Sequence, residues 1–348
     1  MSKTFAINGF GRIGRTAFRI WWQQYREQLH LVAINTSGSM PLGDWVHLLK
    51  YDSNYGHFDP GITYQEHQSN KDVTDDDPIL GTIKIEKHEI IVMAQRDPSK
   101  LPWGKLDIDL VLEATGVFNQ TKDAAQHIAA GAKQVLLTAP GKGEGISTAV
   151  IGVNDLDKNG QILSNASCTT NCVAPVAKIM YEKLGVKKAT LTTIHSYTDN
   201  QNILDNSHKK DMRRARAGAV NLIPTTTGAA KATTEIIPEL KGLFDGLAIR
   251  VPTPVGSLSD MVFVTSRPTT VEEVNQIFID AAQTDRWQGI LAVTNEPLVS
   301  SDIIGRSESS IVDLSLTQVI GGDLVKVISW YDNEWGYCSR LLDQLTLL

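Results

Sequence analysis

A chain of 348 residues is long for one hydrophobic core and comfortable for two, so two domains are expected. Hydrophobic residues at 42% and charged residues at 21% are ordinary globular values, and a net charge of −6 without a dense Lys/Arg run argues against a nucleic-acid backbone as main partner. No apolar stretch approaches a membrane span, Met1 to Ile7 enters a strand-like segment with no basic and apolar leader, and three cysteines without a zinc-spaced His/Cys cluster give neither a disulfide framework nor a metal site, so a reducing cytoplasm fits best.

Thr4 to Asn8 reads as a short apolar strand, followed by a glycine turn, a helical pattern from Arg12 to Gln24 and a second strand from Leu29 to Asn35. The polar segment Tyr64 to Pro78, with Asp75, Asp76 and Asp77, reads as a solvated surface loop remote from the motifs below. Asp109 to Thr115 and Lys133 to Thr138 read as buried strands around a helical stretch, Lys122 to Ala130, and such alternation predicts a parallel sheet. The character changes after Ser164. A helix is expected from Cys168 to Leu184, stopping at Gly185. The strands that follow (Ala189 to His195, Leu247 to Val251, Leu258 to Ser266, Ser309 to Leu316, Leu324 to Trp330) alternate in a way that predicts a mostly antiparallel sheet covered by helices. Between two of them lies a long Arg-rich stretch, Ser196 to Pro224, and loops of that length in compact domains are usually functional. A last helix is expected from Glu334 to Leu345.

Gly9-Phe10-Gly11-Arg12-Ile13-Gly14 is G-x-G-x-x-G between a strand and a helix. Its glycines permit a tight turn and let backbone N–H groups approach a pyrophosphate at the helix N-terminus. The acidic residue usual at the end of the next strand, which holds the adenosine ribose hydroxyls, is missing: the chain reads Asn35-Thr36-Ser37. A carboxylate there repels a 2′-phosphate, whereas Thr36 and Ser37 offer hydroxyl donors, so the pattern leans towards NADP or dual use. The expected fold is therefore α/β plus α+β. A Rossmann-type doubly wound sheet spans residues 1–167, a catalytic and oligomerisation domain spans 168–333, and the helix 334–348 packs back on the first.

Cys168 stands at the expected start of a helix, in Ser164-Asn165-Ala166-Ser167-Cys168-Thr169-Thr170-Asn171-Cys172, where unpaired N–H groups and the helix dipole favour a thiolate. A thiolate adds to an aldehyde to give a hemithioacetal poised to lose hydride. Cys172 and Cys338 read as small buried hydrophobes. His195, ending a strand, is a candidate base, although an isolated histidine is as readily structural. Arg213, Arg214, Arg216 and Arg250 are candidate anion ligands, with a surface ion pair expected for at least one of the clustered three. Thr227-Gly228, opening a helical stretch, adds possible hydroxyl and N–H donors.

These motifs, together with Leu49-Lys50-Tyr51-Asp52-Ser53, Thr193 through Thr198, Arg213 through Ala217, Thr227 through Lys231, Val251-Pro252-Thr253 and Trp330 through Tyr337, resemble the glyceraldehyde-3-phosphate dehydrogenase family over nearly the whole chain. The resemblance implies Cys168 as nucleophile and His195 as its base. It implies one phosphate subsite of Thr198 and Arg250, a second of Ser167, Arg214, Thr227 and Gly228, and Thr169 beside the substrate. It implies NAD or NADP along Gly9, Gly11, Arg12 and Ile13, with Arg96 and Thr138 contributing near the adenine and the nicotinamide side, and Asn333 on the carboxamide. Thr36 and Ser207 stand where members preferring NAD have aspartate and proline, so NADP acceptance is expected. The implied substrates are glyceraldehyde 3-phosphate and inorganic phosphate, giving 1,3-bisphosphoglycerate, in a homotetramer with no nucleic-acid or membrane partner. The rival readings are erythrose-4-phosphate dehydrogenase of the same fold and a non-catalytic interaction protein that retained it.

Overall fold

The computed structural model describes residues 3–348; Met1 and Ser2, where the expected first domain begins, lie outside the described residues. The chain divides into two units, one comprising the residues up to Ala149 with Leu156–Ala166 and Cys338–Leu348, the other Val150–Asp155 with Ser167–Tyr337. The short segment 150–155 thus sits with the second unit, where the Gly152 carbonyl accepts from Arg286 Nε at 2.7 Å.

In the first unit the strands are β1 (Lys3–Asn8), β2 (Leu29–Asn35), the small hairpin β3 (Tyr51–Asp52) and β4 (Gly56–His57), β5 (Thr63–Glu66), β6 (Ile79–Ile85) and β7 (His88–Met93). They continue with β8 (Leu110–Glu113), β9 (Gln134–Leu137), β10 (Ile146–Thr148) and β11 (Ile162–Ser164), interleaved with α1 (Arg12–Ile20), α2 (Leu42–Lys50) and α3 (Thr121–Ala129). Nine of these strands form one sheet, ordered β10-β11-β9-β8-β1-β2-β7-β6-β5. It is parallel from β10 to β7; β6 runs against them, pairing antiparallel with both β7 and the edge strand β5. Chain order reverses between β1 and β8, the switch point at which open α/β sheets bind ligands beyond their strand ends. Phe5, Ala6, Ile7, Val111 and Leu112 are fully buried, as strands covered on both faces require. The first helix gives way at Ile20 to one π-helical turn, Trp21–Tyr25, that seats Trp21 in the core. The loop expected from Tyr64 to Pro78 is in part a strand, because Thr63–Glu66 pairs with β6 along the sheet edge.

The second unit contains α4 (Cys168–Leu184), β12 (Val186–Ser196), β13 (Ile223–Thr226), α5 (Ala229–Ile236), β14 (Phe244–Val251), β15 (Ser257–Thr265) and α6 (Val271–Ala282). After these come β16 (Leu291–Thr294), β17 (Ser310–Asp313), β18 (Gln318–Ile320), β19 (Leu324–Tyr331) and α7 (Trp335–Leu347). Residues of α7 from Cys338 onward rejoin the first unit, where Asn165 Nδ2 donates to Gln344 Oε1 at 2.5 Å. The second sheet runs β13-β14-β12-β15-β19-β17-β16, with β18 on β19. Only β12–β14 and β16–β17 are parallel. Strand β15 alternates strictly between buried and half-buried positions, the signature of a sheet with one packed face. Helix α4 lies against that sheet and is buried at nearly every position from Thr169 to Ala177. The strand expected from Ser309 to Leu316 ends at Asp313, where the chain turns into a single 3-10 turn.

Candidate active site

Gly9 closes β1 with a φ of +100°, and a Cβ there would lie 2.7 Å from Ala114 C; a Cβ on Gly14 would lie 2.1 Å from Gly9 O. These two glycines are fixed by backbone meeting backbone. Gly11 is different: a Cβ on it would meet no protein atom within 4 Å, in the space before the uncapped first turn of α1. Backbone N–H groups there suit a pyrophosphate, so the residues present fit a dinucleotide. The Arg12 guanidinium takes no part in that cradle. Its Nη1 donates to Asp52 Oδ2 at 2.6 Å and its Nη2 to Oδ1 at 3.3 Å, leaving the backbone at Arg12 and Ile13 for the ligand. Burial would raise the Asp52 carboxyl, but Arg12 and the N–H groups of Asn54 and Tyr55 outweigh it and hold the group below its ordinary value.

Beneath the glycine turn runs a buried polar chain. Asn35 Nδ2 donates to Asn8 Oδ1 at 2.7 Å, Asn8 Nδ2 to Glu113 Oε2 at 2.5 Å, and Trp103 Nε1 to His127 Nδ1 at 3.0 Å. With Nδ1 accepting, His127 Nε2 is the nitrogen that carries the proton towards Glu113 Oε2, 3.1 Å away. Glu113 also accepts from the backbone N–H of Thr115 at 2.8 Å, which locks the loop after β8. Thr138, at the end of β9, lines a small recess with Glu113, Gly116 and Phe118.

At the end of β2 the expectation for Thr36 needs correction. Its side chain is buried, Oγ1 donates to Met93 O at 3.0 Å and accepts from Gly38 N at 3.3 Å, so its hydroxyl is spent within the fold. Ser37, Gly38 and Arg96 instead line a cavity of about 290 Å³ with Asn70, Val73, Thr74, Asp75, Ala94 and Gln95. The acidic segment is therefore not remote from the dinucleotide motifs; it walls this cavity.

In the second unit, Ser167 caps α4, its Oγ accepting from Thr170 N at 3.1 Å. Ala166 before it holds a left-handed φ of 53°, a strained conformation for a residue with a Cβ, and turns the chain sharply into the helix. Cys168 opens the helix half-buried, its Sγ 3.5 Å from His195 Nε2. The parallel register of β12 and β14 sets His195 beside Arg250. Arg250 Nη1 lies 2.6 Å from His195 Nδ1 and donates to Ser196 O at 2.8 Å, while Nδ1 lies 2.7 Å from the same carbonyl. Arg250 Nε is buried with no partner among the described residues, a donor placed for an anion. Burial, reinforced by the Arg250 charge, pushes the His195 imidazole down to about 3. Burial raises the Cys168 thiol against the opposing pull of Arg250 and of Thr169. Burial thus opposes the helix terminus, whose unpaired N–H groups favour a thiolate at Cys168.

Thr169 follows Cys168 on the first turn of α4. It is buried, and its Oγ1 lies 2.9 Å from Tyr331 Oη, which also lies 2.9 Å from Thr193 Oγ1. The Tyr331 ring meets His195 edge-on at 6.0 Å. Sequence reasoning quoted Tyr331 only within a motif and missed it as the wedge that positions both the helix start and the base. Thr198 follows β12, its Oγ1 donating to Asn200 Oδ1 at 3.0 Å. Arg214 is tied to β13, Nε donating to Thr225 Oγ1 at 2.8 Å and Nη2 to Thr226 O at 3.1 Å, next to Thr227 and Gly228. Thr227 Oγ1 accepts from Ala229 N at 3.1 Å, and a Cβ on Gly228 would meet nothing within 4 Å, so the start of α5 is open. Arg216 is the surface pair of the cluster, Nε to Asp205 Oδ2 at 2.7 Å. Ser207 lies exposed on the same long loop. Asn333 Oδ1 accepts from Gly256 N at 3.2 Å and Ser257 Oγ at 2.9 Å, fixing the amide. Cys172 and Cys338 are fully buried, and burial pushes the Cys172 thiol up to about 11.

A dinucleotide-type sheet in one unit and a thiol–imidazole pair in the other define a nicotinamide-dependent oxidoreductase. Residues 3–121 match the model of the glyceraldehyde 3-phosphate dehydrogenase NAD binding domain, and residues 167–333 that of the C-terminal domain. The chain is similar to a glyceraldehyde-3-phosphate dehydrogenase A, chloroplastic, of Zea mays, 51% identical over 97% of this chain and 80% of that protein. It is 50% identical to the chloroplastic A enzyme of Scenedesmus vacuolatus over 94% of this chain and 100% of that protein. It is 49% identical to glyceraldehyde-3-phosphate dehydrogenase 2 of Trichormus variabilis over 99% and 97%. The chain belongs to the glyceraldehyde-3-phosphate dehydrogenase family.

Proposed function

We propose that the chain oxidises D-glyceraldehyde 3-phosphate reversibly to 1,3-bisphosphoglycerate, through an acyl adduct on Cys168 and with inorganic phosphate as acyl acceptor. The supporting observation is the buried Cys168–His195 pair at 3.5 Å with the unpaired Arg250 Nε beside it. His195 Nε2 takes the thiol proton as Sγ bonds to the carbonyl carbon, and returns it to the alkoxide to give the hemithioacetal. The same nitrogen removes the hydroxyl proton as hydride departs, leaving a thioester. A bound nicotinamide supplies the hydride acceptor. Phosphate oxygen then attacks the acyl carbon, and the C–S bond breaks to release the Cys168 sulfur, which recovers its proton from His195.

Arg250 and Thr198 bind one phosphate, and Ser167, Arg214, Thr227 and Gly228 the other. A phosphate on Arg250 draws the guanidinium from His195 Nδ1, whose N–H then donates to Ser196 O and leaves the Nε2 lone pair facing the thiol. Gly9, Gly11, Arg12 and Ile13 hold the coenzyme by backbone, Arg96 and Thr138 flank its two ends, and Asn333 Nδ2 meets the carboxamide. Both NAD and NADP are accepted, because position 36 lacks a carboxylate and Ser207 replaces a proline. The assembly is a homotetramer in the cytoplasm. Ile203, Leu204, Met212, Val220 and Leu222 expose apolar side chains along the arginine-rich loop, a surface suited to a second copy of the chain. Among the described residues no helix is long and apolar enough to cross a membrane.

The test is phosphate-dependent reduction of NAD+ and NADP+ with glyceraldehyde 3-phosphate, coupled to mass spectrometry of the acid-quenched enzyme. An acyl group on the Cys168 peptide supports the reading; turnover without phosphate, or an adduct elsewhere, overturns it.

A further inference from the structure

The cavity at the end of β2 is walled by a segment whose sequence belongs to none of the motifs above. Residues 67–78 follow β5 and fold against the sheet rather than into solvent: Asn70 Nδ2 donates to Gly38 O at 3.0 Å, and Gln68 Nε2 to Ile79 O at 2.9 Å. Asp75 is seated on two sides. Gln95 Nε2 donates to its Oδ1 at 3.1 Å, and Lys100 Nζ pairs with its Oδ2. Gln95 is itself rigid, its backbone exchanging two hydrogen bonds with the Asn35 side chain at 2.8 and 2.9 Å at the end of β2. Only two charged side chains line the cavity, Arg96 and Asp75.

In a doubly wound sheet the adenosine ribose lies beyond the end of the second strand, where a carboxylate accepts from its 2′-hydroxyl. Here Thr36 holds that place with a spent hydroxyl. We propose that Asp75 supplies the missing carboxylate from the inserted segment, and that the Asp75–Lys100 pair sets the balance between NAD and NADP. A carboxylate with one bond on each oxygen retains lone pairs for a ribose hydroxyl. The same charge repels a 2′-phosphate, and Lys100 moderates the repulsion. The inference rests on the coenzyme assignment made above and adds a determinant outside positions 36 and 207.

Two substitutions that break the same ion pair have opposite expected effects. Asp75→Asn removes the negative charge from the cavity, leaving Arg96 on its wall and Lys100 without its carboxylate behind it, and lowers KM for NADP+ by roughly three- to tenfold while raising KM for NAD+. Lys100→Met leaves Asp75 uncompensated and raises KM for NADP+ by a similar factor. Both shifts shrink in 0.5 M salt, where the Debye length falls to about 4 Å from about 10 Å at 0.1 M, because the pair is exposed. Binding of NAD+ and NADP+ by calorimetry reads the same ratio without turnover. A purely structural pair predicts shifts of one sign in both variants, and that result, or an unchanged NADP+/NAD+ ratio, overturns the proposal. Failure of the wild-type chain to bind NADP+ sinks the dual-coenzyme reading instead; Asp75 is then still judged by whether Asp75→Asn creates NADP+ binding.

Discussion

The molecule recognises charge in two regions built on opposite terms. Around Cys168, His195 and Arg250 the groups are buried or half-buried, with His195 and Arg250 set side by side by strand register and the helix start held by the Tyr331 wedge. Around Asp75, Lys100 and Arg96 they are exposed and brought together by an irregular segment. Burial penalises the charged imidazole, and the neighbouring Arg250 charge adds to it, which is why His195 is driven to about 3 in the first region. In the second, water screens the exposed charges, and the role proposed for them is accordingly to tune preference between similar ligands.

The largest effects are expected in the buried region. Cys168→Ser should lower turnover by at least about 10³-fold, since a hydroxyl at that site is a far weaker nucleophile, with binding of coenzyme retained in a fluorescence titration. His195→Asn should cost about 10²- to 10⁴-fold in kcat, the range for loss of a general base. Alkylation of Cys168 by iodoacetamide in the coenzyme-free protein gives the sign of the thiol shift. The raised thiol predicts a rate that climbs through and above the ordinary thiol range, with no step from His195 between pH 5 and 8. A plateau already reached at pH 6 would show the helix terminus outweighing burial.

A step down in size is Asp52→Asn, which leaves the Arg12 guanidinium without its carboxylate; a loss of about 2–3 kcal/mol in urea unfolding is expected. Because the folded Asp52 carboxyl lies below its ordinary value, the stability it contributes is present above the ordinary carboxylate range and disappears as pH falls through the folded value. Wild type and variant should therefore converge in acid, and parallel curves down to pH 2 would deny the coupling. The smallest effect is expected from Lys100→Met, which should leave the melting temperature essentially unchanged even as it alters coenzyme preference. A larger thermal shift would mean that the exposed region is a structural brace after all.

Most of the fold could be read from the chain because the periodicities were clean. Strand β1, its glycine turn, α1 and β2 announce a dinucleotide sheet, and α4 ends where Gly185 stops it. The misreadings share a cause. Thr63–Glu66 is polar at every position, so nothing in its sequence marks it as an edge strand; only pairing with β6 does. Thr36 looked like a ligand donor because a hydroxyl is a donor in isolation, whereas Met93 O, at the end of the neighbouring strand β7, had already taken it. Asp75 looked solvated because acidic runs usually are.

What the sequence alone determined is a set of candidate groups and their local settings: a cysteine at a helix start, a histidine at a strand end, arginines suited to phosphate, and glycines where only backbone can meet backbone. Those are properties of residue type and local spacing, and short-range geometry enforces them. What the tertiary structure decided is which of them are available and in what protonation state. It placed Arg250 against His195 through a parallel register spanning 55 residues, buried the thiol deeply enough to raise it, and turned an acidic loop onto the cavity beyond β2. Desolvation and partner choice depend on everything packed around a group, and no local pattern encodes them.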